Sequence, residues 1–502
     1  MRKLVLQVSC VALALLLSLG ILGMRPKDAQ ALTAKPNLVF IIADDMQKGD
    51  LKYMPKTRSV LKDKGMTFQN AFVSTPLCCP SRATIMRGQY AHNTGVWNIA
   101  NPNGGWQTYR AKGLERDNVA TRLDAAGYTT ALFGKYLNGY SGTTNKPPGW
   151  DRWFAHAGTP HYYDYKINDD GTVRRFGSST ADYETDVIAN HAQNFIGTSA
   201  AAGKPFFAYV APKAPHGQAG HATPAPRDKH TFDGLKAPRA PSFNEQDVSD
   251  KPPWIRKLPR LGDAQKAKID NRAEMQAETL QALDDLVAGI VGKLKDKGVL
   301  SNTYVFFTSD NGFHSGEHRI LGAKARPYEE SIDVPLLVRG PGVAAGDQAS
   351  KLALNTDFLP TFTDLGSAQT PGYSDGRSLR PVLKSNATTW RSAVLLEADQ
   401  TAGGTPPFSG IRTSGTKYVE YAGGKKELYY LGRDPYELNN RYPAATPSAG
   451  LVSRLHALKT CAGVGCRTVE NGLQFSGSHS SIARGRSSKG FLSPRPLIHR
   501  SA

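Results

Sequence analysis

Two adjacent cysteines, Cys78 and Cys79, open the string CCPSRATIMRG, which ends at Gly88. A proline two residues after Cys78 favours the first turn of a helix there. Exported chains normally keep their thiols in disulfides, so a neighbouring pair at a helix start indicates a role other than cross-linking. The plain alternative is that both are small buried residues or half-cystines.

Oxygen-bearing side chains follow two apolar runs of the sequence. Asp44 and Asp45 come after the run NLVFIIA, and Asp310 and Asn311 come shortly after the run YVFFT. Carboxylate and amide oxygens are hard ligands that select Ca²⁺ or Mg²⁺ over zinc. Each pair alone is commonly a helix cap or a turn. Two such pairs after separate buried strands are better explained by a shared cation, and we expect Ca²⁺ ahead of Mg²⁺.

A lysine and a histidine also follow apolar runs. Lys135 comes after the run 128–133, and His216 comes after the run 206–210. If these runs are parallel strands of one sheet, their carboxyl ends meet at one edge, and the side chains that follow them converge. A histidine titrates near neutral pH and suits proton transfer. Taken singly, the lysine would be solvated and the histidine an ordinary loop residue.

Apolar runs alternate with helical patterns along the first 383 residues. Strands buried on both faces are predicted at 37–43, 128–133, 206–210, 304–308 and 334–338, and helical spacing covers 117–126, 183–195 and 269–297. This alternation predicts an α/β fold, in which a large, mostly parallel mixed sheet is flanked by helices on both faces. The Pro-rich segment 222–260 predicts a long surface loop at the rim of the site.

The C-terminal part has a different pattern. Short strands are predicted at 393–397, 411–421 and 427–430. They indicate a small antiparallel sheet, so we place a catalytic domain at 32–383 and a C-terminal subdomain at 384–470. Residues 471–502 are rich in Ser, Gly and Arg and contain no acid, which predicts a mobile basic tail. Two domains fit a chain of 502 residues with 40% hydrophobic content.

Residues 1–31 have the pattern of a secretory signal. A basic start at Arg2 and Lys3 precedes the apolar stretch 4–22, and a small-x-small cleavage site ends at Ala31. We therefore expect a mature protein that begins near position 32 and is exported, to the extracellular space or the periplasm. No other stretch is apolar enough to span a bilayer, so we expect no membrane contact after cleavage; an uncleaved signal is the alternative.

The remaining cysteines and the net charge give weaker information. Cys10 lies in the signal segment, whereas Cys461 and Cys466 form a close pair. Their spacing in an exported chain favours a local disulfide over a metal site, which would need more soft ligands nearby. The formal charge of +19 favours an acidic partner, although a basic surface also serves solubility.

The string at 78–88 resembles the signature of the type I sulfatases, Cys-x-Pro-Ser-Arg-x-x-x-x-x-Gly. In that family a formylglycine-generating enzyme oxidises the first cysteine to Cα-formylglycine, or 3-oxoalanine. The resemblance makes Cys78 the modified residue and leaves Cys79 as a thiol at the x position. It also implies an alkaline-phosphatase-like fold.

The resemblance implies roles for the polar residues as well. The metal ligands would be Asp44, Asp45, Asp310, Asn311 and the modified Cys78. Arg82 would hold the hydrated aldehyde, Lys135 and Lys324 would bind the sulfate, and His216 would protonate the departing alcohol. In the family, one hydroxyl of the hydrate attacks sulfur and the other later expels sulfate.

One feature departs from the arylsulfatase pattern. Many arylsulfatases have Lys-x-His where this chain reads Lys-Tyr-Leu-Asn at 135–138, so the histidine that helps to release sulfate is absent. Asn138 and His314 are the candidates for part of that work.

The motif variants resemble the branch that contains N-acetylglucosamine-6-sulfatases and extracellular heparan endosulfatases. The likeness covers residues 36–383, with a weaker echo at 428–437. It implies a secreted sulfuric ester hydrolase acting on a sulfated sugar, such as N-acetylglucosamine 6-sulfate, or on an aryl sulfate. The alternative is a phosphodiesterase or phosphonate hydrolase of the same superfold. A third possibility is a noncatalytic glycan- or nucleic-acid-binding protein; charge alone does not separate these polyanions, and we expect no specific nucleic-acid partner.

Overall fold

The computed structural model describes residues 35–142, 146–217, 222–399 and 404–472. The expected signal segment and the expected tail beyond position 472 lie outside these ranges. The strands are β1 Asn37–Ala43, β2 Met66–Phe72, β3 Thr129–Gly134, β4 Arg152–His156, β5 Lys166–Asp169, β6 Thr172–Arg175, β7 Phe206–Ala211, β8 Thr303–Ser309, β9 Leu336–Arg339, β10 Asp347–Leu354, β11 Ala393–Ala398, β12 Phe408–Thr413, β13 Thr416–Tyr421 and β14 Lys426–Tyr430.

The longer helices lie mostly between these strands. They are α1 Cys78–Arg87, α2 Gly105–Ala111, α3 Val119–Ala125, α4 Glu184–Ala201, α5 Asp263–Asp296, α6 Phe358–Leu365, α7 Ala449–Leu458 and α8 Val464–Glu470. None of the helices within the described ranges has a stretch both long enough and apolar enough to cross a membrane.

A ten-stranded mixed sheet forms the centre of the described part of the chain. Its strand order is β10-β2-β9-β8-β1-β7-β3-β4-β5-β6. The middle of the sheet, from β8 through β1, β7 and β3 to β4, is parallel, whereas β9, β5 and β6 pair antiparallel with their neighbours. The predicted α/β fold with a mostly parallel mixed sheet is confirmed.

Strand β1 is buried on both faces because helices cover the sheet on both sides. Phe40 belongs to a core that includes Phe358 and Phe362 of α6, with ring centroids 4.8 and 5.3 Å away. The alternate residue Ile41 belongs to a second core on the opposite face, built largely from α4 and α5. Successive side chains of a strand point to opposite faces of the sheet, and here both faces pack against an apolar layer. Strand β1 must therefore contain a continuous apolar run, which is the pattern that the sequence shows.

The C-terminal sheet has the order β11-β12-β13-β14 and is antiparallel throughout. The single strand expected at 411–421 is wrong, because β12 and β13 form a hairpin there. Arg412 pairs with Lys417, and the small residues Ser414 and Gly415 allow the tight reversal of the chain. Nearby, a disulfide joins the two C-terminal cysteines at positions 461 and 466.

The segment 222–260 contains one short helix, Pro253–Arg256, and is otherwise loop and turn. It packs on the stretch that follows β8, where Asn244 N donates a hydrogen bond of 2.8 Å to Gly316 O. The long loop expected there is therefore present.

Candidate active site

The candidate site lies at the carboxyl ends of β1 and β8, which are adjacent and parallel. Their register sets Ala43 beside Ser309, so the acids that follow each strand become neighbours. Asp310 N donates to Ala43 O at 3.1 Å, and Asp45 N donates to Asp310 Oδ1 at 3.2 Å. Parallel pairing thus brings together two acidic strings that are about 265 positions apart in the chain.

Four oxygen-bearing side chains converge at this edge. Asn311 Nδ2 donates to Asp45 Oδ1 at 2.7 Å, and among the described residues the amide oxygen of Asn311 has no hydrogen-bond partner. Asp44 Oδ1 is likewise buried and without a partner. Buried polar atoms are normally paired, so two orphaned oxygens beside three carboxylates suit a hard divalent cation. A nitrogen of His216 also lies within 4.8 Å of ligand oxygens of Asp44 and Asp45.

Three cations surround the carboxylates. Lys135 Nζ lies 2.5 Å from Asp44 Oδ2, Lys324 Nζ bonds Asp45 Oδ1, and Arg82 Nε donates to Asp310 Oδ2 at 2.8 Å. The Nη2 atom of Arg82 is fully buried and finds no hydrogen-bond partner in the described part of the chain; it lies 3.9 Å from Asp44 Oδ2. The site therefore offers oriented positive charge for an anionic ligand.

The charged side chains of the site shift one another's pKa values. Burial raises the pKa of Asp44, but Lys135, His216 and Arg82 more than offset it, so the pKa lies well below the usual value. Burial together with the charge of Asp44 raises the pKa of Asp310. For Lys324, burial lowers the pKa, but the neighbouring carboxylates outweigh it and the net shift is upward. The lysines thus remain charged at neutral pH.

Cys78 occupies the first position of α1, preceded by the extended residue Leu77. The helix start that Pro80 indicates is present, and the helix begins at Cys78 because Ser81 N already donates to Leu77 O at 3.0 Å. The thiol Sγ of Cys78 donates to Asn138 Oδ1 at 3.3 Å, and Cys78 retains 3% of its surface exposed. The helix N-terminus favours negative charge at this position.

The neighbouring cysteine has a different environment. Cys79 is fully buried in the apolar core. Burial, with the adjacent Cys78 adding to it, raises the pKa of Cys79 to about 12. Such a thiol is inert, whereas Cys78 is at the edge of the polar cluster.

His216 stands between the acids and a lysine that the sequence analysis did not single out. Its Nε2 lies 3.5 Å from Asp45 Oδ2, and its Nδ1 lies 3.4 Å from Lys213 Nζ. Lys213 is 3% exposed, and burial lowers its pKa. Its position three residues before His216 is the one signal that the sequence offered.

The two substitutes proposed for the absent histidine lie in different places. Asn138 contacts Cys78, as described above. The ring of His314 is fully buried and packs 6.1 Å from the ring of Tyr328 and 6.3 Å from that of His318. Tyr328 in turn donates to Glu427 of the C-terminal sheet, so His314 belongs to the contact between sheet and subdomain. No hydrogen bond within the described ranges joins it to the acidic cluster.

Two family models match the chain. The family model described as Sulfatase matches residues 36–368, and a model described as N-sulphoglucosamine sulphohydrolase, C-terminal, matches residues 316–459. The N-acetylglucosamine-6-sulfatase of Capra hircus is 32% identical over 514 residues, covering 91% of this chain and 91% of that protein.

Two further proteins resemble parts or most of the chain. The extracellular sulfatase SULF-1 homolog of Drosophila melanogaster is 35% identical over 377 residues, or 72% of this chain; the match spans 33% of the Drosophila protein. A solved structure of a protein in complex with its substrate D-glucosamine-2-N,6-O-disulfate has a TM-score of 0.75 and 25% identity, covering 87% of this chain and 99% of the other. The resemblance predicted from the motifs is confirmed: the chain belongs to the sulfatase family and is a sulfuric ester hydrolase.

Proposed function

We propose that this sulfatase removes the 6-sulfate from N-acetylglucosamine or a related glucosamine unit of a sulfated glycan, using a formylglycine formed from Cys78. The observation that carries the proposal is the convergence of Cys78, an oxygen-rich cluster and three cations at one sheet edge. The sugar is suggested by the goat relative and by the glucosamine disulfate bound in the similar solved structure.

The metal ligands we propose are Asp44, Asp45, Asp310 and Asn311, together with the modified Cys78. We expect Ca²⁺ ahead of Mg²⁺, because several carboxylate and amide oxygens suit its larger coordination shell. When bound, the cation would polarise the sulfate and favour the ionised form of a neighbouring hydroxyl. The orphaned oxygens of Asp44 and Asn311 are the observation that supports it.

Formylglycine, when formed, supplies an oxygen nucleophile on a carbon that can return to a carbonyl, which a serine or cysteine side chain cannot do. The role of Arg82 is to orient that group, since its Nη2 is buried and unpaired beside Asp44. Asn138 accepts a hydrogen bond at the same side chain and fixes its direction. The formylglycine-generating enzyme would be the maturation partner.

Sulfate is bound by Lys135 and Lys324, whose ammonium groups contact two different acids of the cluster. Their positive charge faces the non-bridging oxygens of the sulfate, where negative charge is greatest in the transition state. His216 donates a proton from Nε2 to the departing oxygen. A neutral ring suffices for this, because Lys213 can return a proton to Nδ1 across 3.4 Å.

The organisation of the chain belongs to the same proposal. Residues 1–31 direct export, residues 32–383 form the catalytic domain, residues 384–470 form the subdomain, and the remainder is a basic tail. The mature protein is secreted or periplasmic, which suits an enzyme that acts on extracellular glycans.

The test uses protein co-expressed with a formylglycine-generating enzyme. Peptide mass spectrometry across positions 78–82 should show conversion of the thiol to an aldehyde. Release of inorganic sulfate should be measured from N-acetylglucosamine 6-sulfate, its 4-sulfate isomer and 4-nitrophenyl sulfate, with 4-nitrophenyl phosphate and a phosphonate monoester in parallel. Preference for the 6-sulfate supports the proposal; faster turnover of the phosphorus esters would establish the phosphonate hydrolase alternative instead.

A further inference from the structure

A cavity of about 840 Å³ opens beside the loop that carries Asn138. Helix α2 contributes one wall with Trp106, Gln107 and Arg110, and Arg116 and Lys146 line the remainder. The active-site roles proposed above use none of these residues.

The cavity is joined to the active site by two consecutive residues. Trp106 N donates to Asn138 O at 2.7 Å, and Gln107 Nε2 donates to Gly139 O at 2.9 Å. The side chain of Asn138 meanwhile accepts the hydrogen bond from Cys78 Sγ. The same short stretch therefore contacts the nucleophile position through a side chain and the cavity wall through its carbonyl groups.

The side chains of this cavity are predominantly positive. Arg110 and Arg116 are exposed, and neither has an ion-pair partner within the described ranges. Lys146 has a partner, the carboxylate of Asp170, at 3.7 Å. The one acid in the wall, Glu115, is turned inward and accepts hydrogen bonds from Trp106 Nε1 at 2.6 Å and from a tyrosine hydroxyl. Burial raises the pKa of Glu115 while the nearby Arg110 acts to lower it, so this single acid offsets only part of the positive charge of the two arginines and the lysine.

The burial of the tryptophan in the cavity wall distinguishes between two kinds of polyanionic ligand. Nucleic acids are held by exposed aromatic rings on which bases stack. Trp106 is only 7% exposed, its Nε1 is already bonded, and the guanidinium of Arg110 lies 5.2 Å from its ring centre. The cavity thus offers charge without a stacking platform, which suits the sulfate or carboxylate groups of a sugar.

We propose that this cavity is a subsite for a second anionic group of the glycan, on a sugar unit near the one whose sulfate is cleaved. The inference rests on the proposed function, because it takes the substrate to be an oligosaccharide with more than one charge. Arg110 and Arg116 bind that group and raise the specificity for long sulfated chains over single sugars.

The first test compares a charge reversal here with an equal reversal elsewhere. The test variant is the double substitution Arg110→Glu with Arg116→Glu. Its control is Lys64→Glu with Lys295→Glu, at a second basic cavity beside the segment that leads into the amino end of β8. We expect kcat/KM for a heparin-derived hexasaccharide to fall about tenfold in the first pair only, as for loss of two exposed charge contacts. N-acetylglucosamine 6-sulfate should be cleaved equally by all three proteins. Equal losses on both substrates, or none on either, would overturn the subsite.

A second test does not need hydrolysis. In a Cys78→Ala background, calorimetry should show hexasaccharide binding that weakens about tenfold on reversal of Arg110 and Arg116 and is unchanged in the control pair. If the affinity for a thymidine oligonucleotide of the same charge depends equally on these arginines, the assignment of the cavity to a sugar is overturned. If the parent enzyme releases no sulfate while this binding pattern holds, the proposed reaction fails and the subsite stands.

Discussion

The ammonium of Lys213 lies 3.4 Å from Nδ1 of His216, on the side of the ring opposite Asp45. An ammonium can only donate, so Nδ1 accepts and the ring hydrogen is on Nε2, directed toward the acidic cluster. Burial lowers the pKa of both side chains. The lysine therefore fixes the tautomer that a proton donor at this edge requires.

Lys213→Met should lower kcat on a sugar sulfate by about 100-fold, as for loss of assisted proton transfer. An activated aryl sulfate should lose much less, because 4-nitrophenolate leaves without a proton. Steady-state kinetics on both substrates check this. Lys204→Met, at an exposed position just before β7, is the control and should match the parent enzyme. Equal losses on both substrates would contradict the role in proton transfer.

Cys78→Ser should abolish nearly all sulfatase activity in a host that does not oxidise serine, with an unchanged circular dichroism spectrum. Cys79→Ala should keep most of the activity, because Cys79 points into the core, and should cost about 1 kcal/mol of unfolding free energy for the buried volume lost. The pair separates a chemical role from a packing role in adjacent thiols. Full activity in Cys78→Ser would refute the proposed nucleophile.

Lys324→Ala and Lys135→Ala should each cost about 3 kcal/mol of transition-state stabilisation, as for one oriented electrostatic group in a buried site. The loss should appear in kcat/KM for every sulfate ester, since the lysines are proposed to contact the sulfate and not the alcohol. Lys351→Ala, on the exposed edge strand β10, is the control. Wild-type kinetics in either site variant would remove that lysine from the sulfate site.

Removal of divalent cations should lower the melting temperature, because the proposed cation would bind only the folded chain. At a hundredfold excess over its Kd, returning Ca²⁺ should restore about 2.7 kcal/mol. Asn311→Leu should weaken this response. A second acidic cluster, at Asp233, Glu274 and Glu278, provides the control: Asp233→Asn with Glu274→Gln should leave the response intact. The opposite pattern would move the metal to that cluster.

Asp375 predicts a pH effect on stability away from the active site. Burial raises its pKa to about 6, although Asn93 and the backbone amides of Tyr90 and Gly463 donate to it. A carboxyl whose folded pKa is raised binds its proton more tightly in the folded state, so its contribution is full below pH 4 and is lost as pH rises through 6. Compared with Asp375→Asn, the parent should lose about 2 kcal/mol of unfolding free energy between pH 4 and pH 6. Urea unfolding at pH 4, 5, 6 and 7 measures the difference; parallel curves would contradict it.

The sequence predicted the centre of the sheet well and its edges poorly. Strands β1, β3, β7 and β8 lie within one or two residues of their expected bounds, because burial on both faces forces a continuous apolar run. The strands β2, β5, β6 and β10 were not expected, since each has exposed positions and lacks that signal. Strand β4 was missed as well, because Arg152 and His156 at its ends shorten the apolar run although most of the strand is buried.

The sequence by itself determined the family, the fold class and most of the side chains at the candidate site, because these side chains follow a recognisable apolar strand or lie in a local motif. Only the tertiary structure decided which atoms meet. The pairing of β1 with β8 places Asp45 against Asp310, and the course of the chain after β7 sets Lys213 behind His216. Those contacts depend on strand order and register over hundreds of residues, which local spacing does not encode.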